Sequence, residues 1–147
     1  MKSLQKLQAL LTTHADNFRI LHWKACGHNF DSAHKIAENY YEMLSNDIDD
    51  VAEIMIRYDI NPLNMISCVK LSLEYNTIKD TVKPSNNYDK YDIVEISDSI
   101  LEELCSIIKD TIQDFQDEDS IGVKSYLESL FEKYDKEYRY INRRRGI

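Results

Sequence analysis

The chain has 147 residues, with 26 acidic against 18 basic side chains and a net charge of −8. That balance disfavours general nucleic-acid binding, which needs cations to neutralise phosphates. A mean hydropathy of −0.50 and the lack of any apolar run of bilayer length exclude a membrane-spanning helix.

The length suits one domain, residues 1–147, with a sizeable core. Only three Gly and two Pro point to an all-α chain with few turns. The start, MKSLQKLQALL, has too short an apolar stretch for a secretory signal and no small-residue cleavage site. Cys26, Cys68 and Cys105 are widely spaced without a CxxC, and read as reduced core thiols. A cytoplasmic location is the expectation.

A first helix is predicted from Ser3 to Cys26, with Leu4, Leu7, Leu10, Leu11, Phe18 and Leu21 on one face. His14 shares that face as a satisfied interior or interface histidine. Gly27 ends the helix and supplies a corner, with His28 on the surface of the turn. A second helix begins near Asn29 to Asp31, where Asp31 is a candidate cap, and runs to about Tyr58. Asn61-Pro62 stops it. Leu63 to Leu73 has room for a short helix, and Thr77 to Tyr91 reads as a loop. A third helix starts at Asp92, with Glu95 three residues later as in a capping box, and its apolar positions run to Phe115. Ser120 is the candidate cap of a fourth helix carrying Tyr126, Leu127, Leu130, Phe131, Tyr134, Tyr138 and Ile141.

Within the first hairpin lie four residues of metal-ligand type, His22, His34, Asp49 and Glu53, spaced H-x11-H-x14-D-x3-E. Asp49 and Glu53 are four apart and stack on one helical face. His22 and His34 flank the bend and fall at similar height in an antiparallel pair. His34 and Asp49, however, are separated by ~22 Å of helix axis at 1.5 Å per residue. Either these are two unrelated half-sites, or a two-fold axis lays the histidines of one chain on the acids of another. Two imidazoles and two carboxylates suit Fe(II), Zn(II) or Mn(II).

The pattern LHW-x6-F-x3-H followed by D-x3-E, carried by Leu21, His22, Trp23, Phe30, His34, Asp49 and Glu53 together with Asn29, resembles the Dps family of twelve-subunit mini-ferritins. The resemblance implies a ferritin-like four-helix bundle with a short helix in the long crossover between the second and third principal helices. It implies a dodecameric homo-oligomer and ferroxidase sites shared across two-fold contacts. There Fe(II) would be oxidised, typically by hydrogen peroxide, and stored as ferric mineral in a hollow shell, with Zn or Mn as competing ions. Glu53 would be the tightest ligand, Asp49 would bridge or assist, and His22 and His34 would complete the shell. Trp23, next to a ligand, would intercept stray oxidising equivalents or pack an interface.

Two charged tracts carry further expectations. Asp110 to Asp119 holds five acids and no base. By resemblance Asp114, Asp117, Glu118 and Asp119 line a pore for Fe(II), although Gly122 stands where many family members carry another acid. The tail from Lys133 carries six bases against two acids, so Arg143, Arg144 and Arg145 are candidate DNA contacts. Twelve copies would add avidity. A nucleoid-coating protein with a secondary metal site is the alternative function. The E-x-x-H ligand motif of classical ferritins is absent, because Leu11, Arg19, Ala25 and Asp31 stand three residues before the four histidines.

Overall fold

The computed structural model describes residues 2–75 and 81–146. Five helices form the architecture: α1 (Lys2–Trp23), α2 (Phe30–Arg57), α3 (Met65–Tyr75), α4 (Lys90–Ile112) and α5 (Ile121–Lys136). α1 pairs with α2 and α4 with α5 as two hairpins, α1 and α2 also meet α4, and α3 lies against α1. This is a four-helix bundle with a short helix in its crossover. Leucine and isoleucine at helical spacing fill the centre: Leu4, Leu7, Leu11, Phe18 and Leu21 from α1 meet Leu44, Val51 and Met55 from α2. Ile100, Leu104 and Ile108 from α4 and Leu127 and Leu130 from α5 complete it. Among the described residues no helix is long and apolar enough to cross a membrane.

The first helix ends at Trp23, three residues earlier than predicted. Gly27 makes the corner with φ +93°, a conformation that L side chains rarely adopt, and a Cβ there would stand 3.4 Å from Asp89 Cβ. The close approach exists because the crossover returns to this corner. Cys26 N–H donates to the Tyr88 carbonyl at 2.8 Å, and Tyr88 N–H donates to the Lys24 carbonyl at 2.9 Å. Peptide groups that α1 no longer satisfies are thereby paired.

The crossover is anchored at its other end too. Gln8, buried in α1, donates from Nε2 to the Leu63 carbonyl at 3.0 Å and accepts from Leu63 N–H at 2.8 Å. Of the predicted loop, 77–80 lies outside the described residues, 81–89 is non-helical, and Lys90 and Tyr91 already belong to α4. The cap of α4 is Asp89 rather than Asp92. Asp89 accepts from Asp92 N–H at 2.9 Å, and Asp92 reaches back to Asp89 N–H at 3.2 Å, so the box stands three residues upstream of the predicted one. Asp31 lies in the first turn of α2 and does not cap it. Asn29 and Ser120 hold the N-cap positions of α2 and α5 without a side-chain cap bond. α4 ends at Ile112, and Phe115 plugs the following corner, buried.

After α5 the chain continues in a π-turn (Glu137–Ile141) and a last helical turn (Asn142–Arg144). This end is tied down. Arg145 Nη1 donates to Tyr40 Oη at 2.8 Å and to Asn142 Oδ1 at 2.6 Å, and Asn142 Nδ2 donates to Asp98 Oδ1 at 2.7 Å.

Candidate metal centre

The bend between α1 and α2 brings His22 and His34 together. Their rings stack, with centroids 3.8 Å apart. His34 Nδ1 lies 2.8 Å from the His22 carbonyl, and His22 Nδ1 lies 3.1 Å from the His34 carbonyl. A carbonyl oxygen only accepts, so Nδ1 carries the proton in both rings. In the neutral ring this is the tautomer that leaves Nε2 with its lone pair, and each ring is aimed by the other's backbone. Metal-binding histidines need this kind of outer support. Phe30 extends the stack, its centroid 5.2 Å from that of His34.

One turn past His34, Glu38 belongs to this end of the molecule and was missed in the sequence. A hydrogen bond from Lys35 at 3.2 Å and then the Lys35 charge hold its carboxyl below the usual range, with smaller contributions from the fields of His22 and His34. Its i+4 spacing from His34 was the available signal.

Asp49 and Glu53 are exposed on α2. They make no hydrogen bond or ion pair among the described residues, and no group of three or more ligand-type side chains gathers within one chain there. The two half-sites therefore remain apart in the single chain, as the axis length requires. What links them is position. At 100° per residue, His34, Glu38, Tyr41, Ser45 and Asp49 fall on one stripe of α2, with Glu53 at its margin. Two exposed apolar residues share the stripe: Phe30, 43% accessible, and Ile56, 64% accessible. The pair His34/Glu53 is centred between Met43 and Leu44, and the pair Phe30/Ile56 on Met43. The stripe thus carries aromatic and imidazole groups with Glu38 at one end, and an aliphatic with Asp49 and Glu53 at the other.

The remaining candidates are placed as follows. Trp23 is 65% accessible, with Arg19 Cζ 5.5 Å from its ring centroid. Asp114, Asp117, Glu118 and Asp119 are all exposed in the corner between α4 and α5, which Tyr58 braces by donating to the Asp119 carbonyl at 3.1 Å. A Cβ at Gly122 would meet nothing within 4 Å. Arg143 and Arg144 are exposed, whereas Arg145 is drawn into the Tyr40 network. His14 is an interior histidine as expected, with Nε2 2.5 Å from Glu103 Oε2 and Asn17 Nδ2 donating to Nδ1 at 3.2 Å. Cys68 and Cys105 are buried thiols, but Cys26 is half-exposed because it sits in the corner rather than in the core.

The architecture is a four-helix bundle with a short helix in its crossover, and comparison with solved structures narrows the fold. Dps from Staphylococcus aureus superposes with a TM-score of 0.80 at 18% identity, covering 97% of this chain and 91% of that one. Helicobacter cinaedi CAIP gives 0.87 at 16% identity over 99% and 98%, and antigen TpF1 from Treponema pallidum gives 0.86 at 14% over 99% and 90%. This chain accordingly has the fold of the Dps structures. No protein-family model matches the sequence, and no curated protein does.

Proposed function

We propose that the chain is a mini-ferritin of the Dps family that oxidises Fe(II) with hydrogen peroxide at sites shared between two copies and stores the ferric product in a dodecameric shell. The observation that carries this reading is the reciprocal clamp of His22 and His34, which leaves two imidazole Nε2 atoms free of it at one end of the α2 stripe. Antiparallel pairing of two α2 helices would bring those atoms to Asp49 and Glu53 of the partner subunit, with Glu38 beside them. The set is nitrogen and oxygen only, suited to Fe(II), with Zn(II) and Mn(II) as competitors.

In the reaction Fe(II) is the substrate. Two Fe(II) ions each give one electron to hydrogen peroxide, the O–O bond breaks, and two protons complete two waters. The chain's part is to hold the cation with carboxylates that offset its charge and histidines whose rings are aimed by their Nδ1 hydrogen bonds. The acids Asp114, Asp117, Glu118 and Asp119 would draw the cation in through the corner after α4, and Trp23 would give up an electron to stray oxidant. DNA coating is the second reading, resting on exposed Arg143 and Arg144; retention of DNA at low salt that disappears in the Arg143→Ala, Arg144→Ala variant would support it.

The deciding experiment measures Fe(II) oxidation with peroxide and with oxygen in wild type and in a His22→Ala, Glu53→Ala double variant. The variant should keep its assembly and lose most of the fast oxidation. Equal rates would overturn the assignment.

A further inference from the structure

The docked C-terminal turn forms a small cleft of about 170 Å³ with the starts of two helices. Its lining is Asn29, the N-cap residue of α2, then Lys90, Tyr91 and Val94 from the start of α4, and Arg145 with Gly146 from the tail. Two of these six are cations and none is an acid. The acids nearby are engaged elsewhere. Asp89 and Asp92 accept from each other's amides in the α4 capping box, and Asp98 accepts from Asn142. Glu137 accepts from Tyr40 Oη at 3.2 Å and stands 3.9 Å from Arg145 Nη1.

Both cations have donors to spare. Lys90 is half-buried, and its ammonium makes no hydrogen bond, ion pair or ring contact among the described residues. Partial burial of a charge without a counter-ion costs free energy that a bound anion offsets. Arg145 uses only Nη1, on Tyr40 Oη and Asn142 Oδ1, and its guanidinium carbon lies 5.6 Å from the Tyr40 ring centroid. Those contacts fix the fork. Its Nε and Nη2 keep no partner among the described residues, and neither is sealed from solvent by the chain. The helix starts add a smaller positive field.

We propose that this cleft is a phosphate site, in which Lys90 Nζ and the open edge of the Arg145 guanidinium hold one inorganic phosphate per chain. The volume of about 170 Å³ is several times the ~30 Å³ share of one water, room for a tetrahedral oxyanion with part of its hydration shell. A guanidinium fork matches two phosphate oxygens, and an ammonium serves a third as a compact charge. Because one holder belongs to α4 and the other to the tail, the bound ion also fastens the C-terminal turn to the bundle. The site owes nothing to the metal centre, so each stands or falls by itself.

The test titrates inorganic phosphate by calorimetry into the metal-free full chain as wild type, Lys90→Gln and the Arg143→Ala, Arg144→Ala pair. Wild type should bind one phosphate per chain saturably. Lys90→Gln removes no bond of the fold, so it should stay folded and weaken binding roughly tenfold or more, the worth of one charged hydrogen bond. The paired variant, whose arginines lie outside the cleft, should match wild type. No saturable binding in wild type, or wild-type affinity in Lys90→Gln, would overturn the proposal. Equal weakening in the paired variant would overturn it too, by assigning the binding to diffuse charge on the tail. A duplex oligonucleotide tests the other source of phosphate. DNA retention lost in Lys90→Gln, with no binding of the free ion, would assign these cations to a nucleic-acid backbone and overturn the proposal.

Discussion

Tyr134 Oη donates to Asp47 Oδ2 at 2.6 Å inside the bundle, while Lys133 Nζ reaches Asp47 Oδ1 at 2.7 Å. Asp47 is 3% accessible, so one carboxylate of α2 is held in the core by two donors of α5. Tyr134 has its hydroxyl pushed up by burial and then by the Asp47 charge, which keeps it protonated and donating.

Removing either side of this pair should cost stability. Tyr134→Phe leaves the carboxylate one donor short, and a loss of about 1–3 kcal/mol in urea unfolding is expected. Lys133→Met acts on a partly exposed partner and should cost less, on the order of 1 kcal/mol. Equal stability of Tyr134→Phe and wild type would show that the bond adds nothing.

The thiols should react in an order set by burial. Burial pushes Cys105 up to about 12, and Cys68 is also raised by burial. A disulfide reagent at pH 8 should therefore modify Cys26 first, with Cys68 and Cys105 following only as the protein unfolds. Simultaneous release from all three thiols under native conditions would contradict the packing.

Asp98 makes a pH prediction of definite sign. Its carboxyl is raised above the ordinary value, first by burial and against the hydrogen bond from Asn142. The native state thus holds its proton more tightly than the unfolded chain, and ionisation lowers stability as pH rises through the raised value. Asp98→Asn keeps an oxygen for Asn142 and should be as stable as wild type or up to ~0.5 kcal/mol more stable at pH 7. The difference should vanish below the ordinary Asp range, where both states are protonated. Thermal melts at pH 7 and pH 3 check this.

At the C-terminus, Arg145→Ala should cost about 1–2 kcal/mol through its bonds to Tyr40 and Asn142. Arg143→Ala and Arg144→Ala should fall within ~0.5 kcal/mol of wild type. Equal effects at all three positions would mean the tail is not docked as described.

Much of this was legible in the chain because it is written in local spacing. The leucines of α1, the turn at Gly27 and the end of α2 near Tyr58 need only helical periodicity and backbone sterics, although α2 stops at Arg57 with Asp59 at φ +56°, ahead of Asn61-Pro62. The four ligand-type residues could be picked out, and the axis length alone said that one chain does not unite them. What stayed hidden depends on distant partners. Asp89 caps α4 in place of Asp92, and nothing local separates two acids three residues apart. The end of α1 at Trp23 is set by Tyr88, which pairs with Lys24 and Cys26 from far along the sequence. Glu38 looked like any surface acid until the bend put His22 beside it. The three tail arginines read alike as candidate DNA contacts, and only the meeting of Tyr40 with Arg145 shows one of them turned inward.

Under the pairing of two α2 helices proposed above, a genetic corollary follows. Chains carrying only His22→Ala and chains carrying only Glu53→Ala each spoil every centre in a pure assembly. In a mixed pair, however, one junction collects both lesions and the other escapes untouched. Random co-assembly of equal amounts should then restore roughly a quarter of the centres, because half of the pairs are mixed and each rescues one of its two. Two inactive preparations would regain iron oxidation merely by being dissociated and reassembled together.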